Sequence, residues 1–281
     1  MSRLASANPK VHPDPSIACF LEEIYAECNR PERLALDPLA VVKEYRNHAD
    51  LEVAGLVCST LAFGSVTQIL KACRTALEPL GVHPAQTLAD MNPEEMARAW
   101  GQFQHRFCFP RDMIALMGAI QKARGKFGSL EGLFMSCMKR EQNSGLAGAA
   151  SLFVRAMREY AGSLRQSLLP DPADGSACKR LFLFFRWMVR RDAIDPGPWT
   201  GMDPACLIVP MDTHMARTCR SRLGFLPDSA PSRLSSPNLD DALRVTMAFR
   251  MYAPHDPVKY DFALTRPGID PRPGDERFGC L

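Results

Sequence analysis

The sequence predicts an all-α fold, and two observations support this class. Nearly every long segment repeats its apolar residues at spacings of three and four, the period of a helix with one buried face. No segment competes with an alternation of apolar and polar residues, which is the pattern of a half-exposed strand. Because 46% of the 281 residues are hydrophobic, the chain can also bury a sizeable core.

The helices can be placed in order along the chain. PSIACFLEEIYAEC at 15–28 predicts the first helix, and the largely apolar stretch 50–77 predicts one or two buried helices divided near Phe63-Gly64-Ser65. Further helices are predicted at 93–103, 110–128, 129–140, 148–166, 178–192, 212–224, 240–252 and 258–266. Helix N-termini are predicted at Pro93 and Ser129, and helix ends at Gly81, Gly128 and Gly224.

The helix predicted at 178–192 stands out for its setting. It lies between two loops rich in Pro, Gly and Asp, at 169–177 and 192–204. From Leu181 to Val189 it is apolar over almost its whole circumference, so it should run through the core. Its two ends should then lie where the buried scaffold meets the surface.

Composition excludes several classes of protein. No apolar run reaches membrane-spanning length, and the first residues lack the apolar core of a signal peptide, so we expect a cytoplasmic protein with no membrane partner. The ten cysteines are scattered without a CxxC, and the six histidines show no metal-ligand spacing. We therefore expect reduced core thiols, no bound metal and no cofactor.

Positive charge is concentrated in one segment. Residues 177–222 hold eight basic and four acidic side chains, a local excess of four, whereas the whole chain has a net charge of +3. This distribution favours a localised anionic partner. A basic run on a helix is also often only a solvated face, and both interpretations of Arg217, Arg220 and Arg222 stay open.

Lys179 is placed in the first turn of the core helix, with Asp174 or Ser176 as the expected cap. The partial positive charge of a helix N-terminus disfavours an ammonium, which pushes the lysine toward its neutral amine. A neutral amine is the form that acts as a nucleophile. The alternative is an ordinary surface lysine.

Asp212 follows Pro210 and precedes THMARTCRSRLG, which is the position of a helix N-cap. A capping carboxylate is rigid and ionised, so it would also suit the stabilisation of a developing cation. The structural and the catalytic interpretations therefore do not exclude each other.

These residues resemble a known superfamily. VPMDTHMARTCRSRLGF at 209–225 resembles the segment that carries the catalytic Asp in helix-hairpin-helix DNA glycosylases of the endonuclease III type. KRLFLFFRWM, with Asp212 33 residues after Lys179, is more similar to the archaeal 8-oxoguanine DNA glycosylase branch. The chain also resembles an uncharacterised bacterial and archaeal family, and YDFALTRPGI at 260–269 fits the C-terminal helix of that family. The likeness covers roughly 50–269, with its specific motifs within 179–224.

The resemblance implies two helical subdomains with an active-site cleft between them. Residues 1–49 would pack on a glycosylase-like domain of 50–281, whose catalytic segment would be 170–224. Lys179 would attack the sugar carbon of a flipped nucleotide and form a Schiff base, and Asp212 would assist its deprotonation and stabilise the cationic sugar. The implied partner is double-stranded DNA with a damaged base, 8-oxoguanine being favoured, bound by a monomer; strand cleavage could follow.

The DNA contacts are expected from residues near this pair. They are Arg180, His214, Arg217 and Arg220, with Trp199 of the Pro/Gly loop stacking on the extruded base. Two features differ from the endonuclease III branch: LPDPADGSACK replaces the LPGVG hairpin turn, and Leu61 stands nearest to the position of a polar Gln. The four-cysteine cluster of that branch is also missing.

Three alternatives remain from sequence. The chain could be a nucleic-acid-binding protein without catalysis on the same scaffold, or a related enzyme acting on RNA. Lys259 and Asp261 form a second Lys/Asp pair, but residues two apart point to different faces of a helix, which makes them weaker candidates.

Overall fold

The computed structural model describes residues 13–141, 145–227 and 236–279. These residues form α-helices, short 3-10 turns and three isolated β-bridges, without a strand, which confirms the all-α prediction. The first helices are α1 (Pro15–Cys28), α2 (Leu39–Val42), α3 (His48–Leu61), α4 (Val66–Leu77), α5 (Pro84–Asp90), α6 (Pro93–Trp100) and α7 (Pro110–Phe127). They are followed by α8 (Leu130–Arg140), α9 (Gly145–Ala161), α10 (Lys179–Val189), α11 (Thr213–Ser221), α12 (Leu239–Arg250) and α13 (Asp261–Ile269).

Local signals set many of these helix ends. Pro93 opens α6 behind an Asn92 capping box, and the Ser129 hydroxyl caps α8 by accepting the Gly132 N–H at 2.8 Å. Gly128 ends α7 with φ of +79°, a conformation that costs glycine little. The predicted break near Phe63-Gly64-Ser65 separates α3 from α4.

Several helices differ from the prediction. α9 is predicted at 148–166 and spans Gly145–Ala161, and α6, α10 and α11 each end three residues before the predicted end. The short helices α2 and α5 were not expected, because neither is long enough to show a clear apolar period. The last helix was predicted at 258–266, whereas α13 starts at Asp261 and runs to Ile269 with Pro267 inside it. Residues 258–260 form a turn instead.

The packing of the helices places segments far apart in the chain side by side. α7, α8 and α9 pack against one another, and α10 packs along α3. α1 lies against α13, which also contacts α11. As predicted, α10 runs through the core: Phe184, Phe185 and Trp187 are completely buried. Its first turn therefore lies near the α3–α4 loop, α11 and α13.

Seven of the nine cysteines in the described residues are buried, in keeping with core thiols; Cys19 and Cys206 are exposed, and Cys280 lies outside the described residues. Over those same residues, no group of three or more His, Cys, Asp or Glu side chains is arranged to hold a metal ion. Nor does any described helix combine the length and the apolarity needed to cross a membrane.

Candidate active site

Lys179 is the first residue of α10, and an unusual residue precedes it. Cys178 is the N-cap with φ of +44° and ψ of 38°, in the left-handed region, and makes no side-chain cap bond. The expected cap by Asp174 or Ser176 is therefore wrong: the Ser176 hydroxyl accepts the Cys178 N–H at 3.3 Å, one step before the helix. The left-handed residue turns the chain sharply into α10, with Lys179 at the corner.

Asp212 is the N-cap of α11, as predicted. Its Oδ1 accepts the Met215 N–H at 2.8 Å, which leaves Oδ2 free to accept from Lys179 Nζ at 2.6 Å. The residues before it, Ile208 to Met211, are buried and hold the helix start in place. One carboxylate thus caps α11 and joins it to α10.

The pair is partly open to solvent. The Lys179 side chain is 37% exposed and that of Asp212 21%. Burial alone would raise the pKa of the Asp212 carboxyl, but the charge and hydrogen bond of Lys179, with the Met215 N–H, outweigh it and lower that pKa. Asp212 is therefore ionised at neutral pH.

Both side chains line a cleft of about 520 Å³. Its walls come from the segment before α2, the α3–α4 loop, α4, α10, α11 and α13. Phe63 and Gly64 form one side of it, and Thr265 and Ile269 of α13 contribute to another. A cleft of this volume is within the range that holds a small molecule or one nucleotide.

The charges in the cleft are balanced. The charged side chains that line it are Lys179, Arg186, Arg266, Asp37, Asp212 and Asp261. Each cation pairs with a carboxylate: Arg186 Nη1 donates to Asp261 Oδ2, and Arg266 Nη2 lies 3.1 Å from Asp37 Oδ2. Three cations and three carboxylates leave no net charge, so the cleft favours a neutral polar group over a free phosphate.

A buried network of ion pairs lies behind the cleft, between α10 and α13. Arg186 lies on the same face of α10 as Lys179, seven residues further on, and Arg190 follows directly after the end of the helix. The fully buried Asp195 accepts from Arg186 at 3.0 and 3.1 Å and from Arg190 at 3.0 Å. Burial would lower the pKa of both guanidinium groups, but the surrounding carboxylates outweigh it and raise both values.

The comparisons with known proteins give one result. Residues 37–270 match a protein family described as "Protein of unknown function (DUF2400)". This chain belongs to that family. No curated protein and no solved structure matches the chain. The DUF2400 match contains every residue that lines the cleft except Leu36.

The residues predicted to bind DNA fall into different places in this DUF2400 protein. His214 is exposed and lines the cleft beside Asp212, and Arg217 is exposed on the same helix. Arg220 is partly buried and donates from Nε to the Pro227 carbonyl at 3.0 Å. Arg222 is exposed and lies over the Phe20 ring at 4.7 Å. Only His214 of these four lines the cleft.

The guanidinium of Arg180 is engaged in contacts within the protein. It donates to the Thr60 carbonyl at 2.5 Å and to the Ser167 carbonyl, and its guanidinium lies 5.0 Å from the centre of the Phe63 ring. Burial lowers the pKa of this guanidinium to about 10. Arg180 therefore tethers α10 to the end of α3, and its donors to Thr60 and Ser167 are already in use.

Trp199 requires a correction. Its side chain is only 3% exposed, among Phe134, Phe184 and Phe185, and its indole N–H donates to Glu52 Oε1 at 2.8 Å. The loop that carries it folds back onto α10, where the Trp199 N–H donates to the Met188 carbonyl at 2.8 Å. A ring held in this way cannot stack on an extruded base, so Trp199 belongs to the core.

Sequence reasoning also missed part of the cleft. Asp37, Arg186 and Arg266 were not singled out, because no short motif contains them and their partners lie far away in the chain. Asp261 was considered only together with Lys259. In the structure Lys259 pairs with Glu22 at 2.7 Å, whereas Asp261 lines the cleft, so the two do not form one site.

Proposed function

We propose that this chain is a DNA glycosylase with an associated lyase step, which excises a damaged or modified base through Lys179 and Asp212. The observation that carries the proposal is the 2.6 Å contact between Lys179 Nζ and Asp212 Oδ2 inside a cleft of nucleotide size. It is supported by the resemblance of the segments around both residues to glycosylases. An amine nucleophile beside a fixed carboxylate is the arrangement that glycosidic cleavage by a lysine needs.

Lys179 and Asp212 can together carry out the proton transfers that the reaction requires. An ammonium proton of Lys179 passes by way of Asp212 to the departing base. Nζ then forms a bond to C1′, and the C1′–N glycosidic bond breaks with its electron pair on the base. A second proton moves from Nζ to O4′ as the C1′–O4′ bond opens, which leaves a protonated Schiff base. Loss of the C2′ proton would then expel the 3′ phosphate and cut the strand.

Asp212 has a second task in this reaction. Positive charge develops on the sugar as the base leaves, and a carboxylate held by a helix end stabilises that charge without reorganising. The capping bond to Met215 supplies the rigidity, and the lowered pKa keeps the carboxylate ionised. The same side chain therefore favours the transition state over the bound substrate.

The cleft also fits the group to be bound. Its cations and carboxylates cancel, which suits an uncharged nucleobase and sugar rather than a phosphate. Phosphates would then lie outside it, where Arg217, exposed on α11, is available for one of them. Resemblance to the archaeal branch favours 8-oxoguanine as the base, and we propose that a monomer suffices for catalysis.

The test is covalent trapping. Borohydride reduces a Schiff base to a stable amine, so wild-type protein incubated with duplexes that carry one lesion or one abasic site should become linked to the DNA. A panel of single lesions scored for base release identifies the substrate. The same sequences made as RNA decide between the two nucleic acids, and linkage to RNA alone would contradict the proposal.

Replacing Asp212 separates its two roles. Asp212→Asn keeps a good helix cap but removes the charge, so we expect base release to slow by a factor of about 10² to 10³ with little change in stability. Asp212→Ala also removes the cap and should lower the free energy of unfolding by about 1 kcal/mol more. Single-turnover rates and urea unfolding measure the two effects. An Asn variant with the wild-type rate would show that the carboxylate is only a cap.

A further inference from the structure

A second group of side chains lies on the turn that precedes α7. His105 and Cys108 exchange two backbone hydrogen bonds of 2.9 Å, which closes a tight turn with Arg106 and Phe107 at its tip. Arg106 is exposed, and Phe107 and Phe109 are each 36% exposed. We call Arg106, Phe107 and Phe109 the rim.

The rim adjoins the cleft. The Phe107 ring stacks on Phe63, with the centroids 4.2 Å apart and the planes at 13°, and Phe63 lines the cleft. The Arg106 side chain comes within 3.0 Å of where a Cβ on Gly64 would stand, and Gly64 also lines the cleft. A strand leaving the cleft on this side would therefore meet the rim.

The charge of the rim fits a polyanion. Residues 99–111 contain Arg106 and Arg111 and no acidic side chain. The next acid, Asp112, is buried and faces Arg165 at 3.6 Å. Arg165 in turn lies 5.3 Å from the centre of the Phe109 ring. Exposed arginines interleaved with exposed aromatic rings are typical of surfaces on which nucleobases stack while their phosphates are neutralised.

The backbone conformation of Arg106 also supports a functional role for this turn. Its φ is +51°, in the left-handed region that disfavours a side chain and suits glycine. The turn nevertheless holds a long cationic side chain at its tip. Residues held in such conformations cluster at active sites and at ligand-binding turns.

We propose that the rim binds the DNA strand next to the nucleotide held in the cleft, with Arg106 on a phosphate and Phe107 stacked on the neighbouring base. This assignment rests on the proposed function, because the cleft sets which nucleotide lies beside the rim. The Phe63 ring behind Phe107 would keep it in position for stacking.

The experiment measures binding rather than catalysis. A duplex with one tetrahydrofuran abasic analogue is titrated with wild-type protein, Phe107→Ala, Arg106→Gly and the control Arg98→Ala, an exposed arginine on α6 that does not line the cleft. Phe107→Ala should weaken binding about tenfold through the lost stacking. Arg106→Gly should reduce the slope of log K against log salt by about one, as expected for one lost phosphate contact. Arg98→Ala should bind as wild type.

Folding defects are separated from binding defects by Arg106→Gly. Glycine adopts the left-handed backbone without strain, so this variant should melt at no lower a temperature than wild type. If Phe107→Ala fails to fold, the binding of Arg106→Gly alone decides whether the rim contacts DNA. Wild-type affinity and salt slope in both rim variants would overturn the assignment, even if Lys179 still traps DNA. Weaker binding in the rim variants without any trapping would support the rim and contradict the catalytic proposal. Binding to RNA of the same sequence but not to DNA would overturn the choice of partner.

Discussion

Replacing Lys179 by alanine is expected to abolish the borohydride-trapped adduct with lesion-containing DNA. Among the described residues that line the cleft, Lys179 supplies the only amine, and without it no Schiff base can form there. Lys179→Arg should fail equally, although it keeps a cation beside Asp212, because a guanidinium does not lose its proton. Gel separation of free and linked DNA after reduction measures the effect.

Lys259→Ala is the matched control for this experiment. Lys259 pairs with Glu22 and does not line the cleft, so its loss should leave trapping at the wild-type level. Trapping that survives Lys179→Ala but is lost with Lys259→Ala would refute the assignment. If wild-type protein binds DNA but traps no lesion, and Asp212→Asn leaves that binding unchanged, the chain is a nucleic-acid-binding protein without catalysis.

The largest effect on stability is expected at Asp195. Asp195→Ala should lower the free energy of unfolding by about 3 to 5 kcal/mol, because it leaves Arg186 and Arg190 buried without the carboxylate they share. That is a large part of the roughly 5 to 15 kcal/mol that stabilises a typical domain. Urea unfolding followed by circular dichroism measures the change.

An exposed ion pair provides the comparison. Arg74 and Glu44 are 3.1 Å apart, with 56% and 53% of their side chains exposed, and Glu44→Ala should cost at most about 1 kcal/mol. Similar small costs for Asp195→Ala and Glu44→Ala would show that the buried network does not hold α10 in place. The rate of base release in any folded Asp195 variant would then also be expected to stay unchanged.

The sequence predicts the fold better than it predicts the residues of the cleft, for a physical reason. Helical periodicity, capping residues and glycine stops are local, and they predicted the long helices and the core position of α10. Asp212 was found because capping and its motif are also local. The partners of Arg186 and Arg266 lie in other helices, and no pattern within one segment encodes such pairings.

Trp199 shows how composition can mislead. Its loop is rich in Pro and Gly, which usually indicates an exposed segment. The sequence does not reveal that Glu52, in the apolar helix α3, is a buried acceptor for its indole. Glu52 also accepts from Arg124 at 2.8 Å and from the Glu131 N–H at 2.8 Å, so one buried carboxylate joins three distant parts of the chain.

The ion pairs that line the cleft join residues far apart in the chain, which bears on the order in which the molecule folds. The cleft needs Asp37 from before α2 and Asp261 from α13, so its charges are balanced only after contacts between residues far apart in the chain have formed. Closing such long loops costs chain entropy, and proteins dominated by distant contacts fold more slowly than those rich in local ones. During synthesis, Lys179 and Asp212 would emerge well before Asp261, which joins Asp195 as a second carboxylate on Arg186. The charge balance of the cleft should therefore be completed only after α13 has docked.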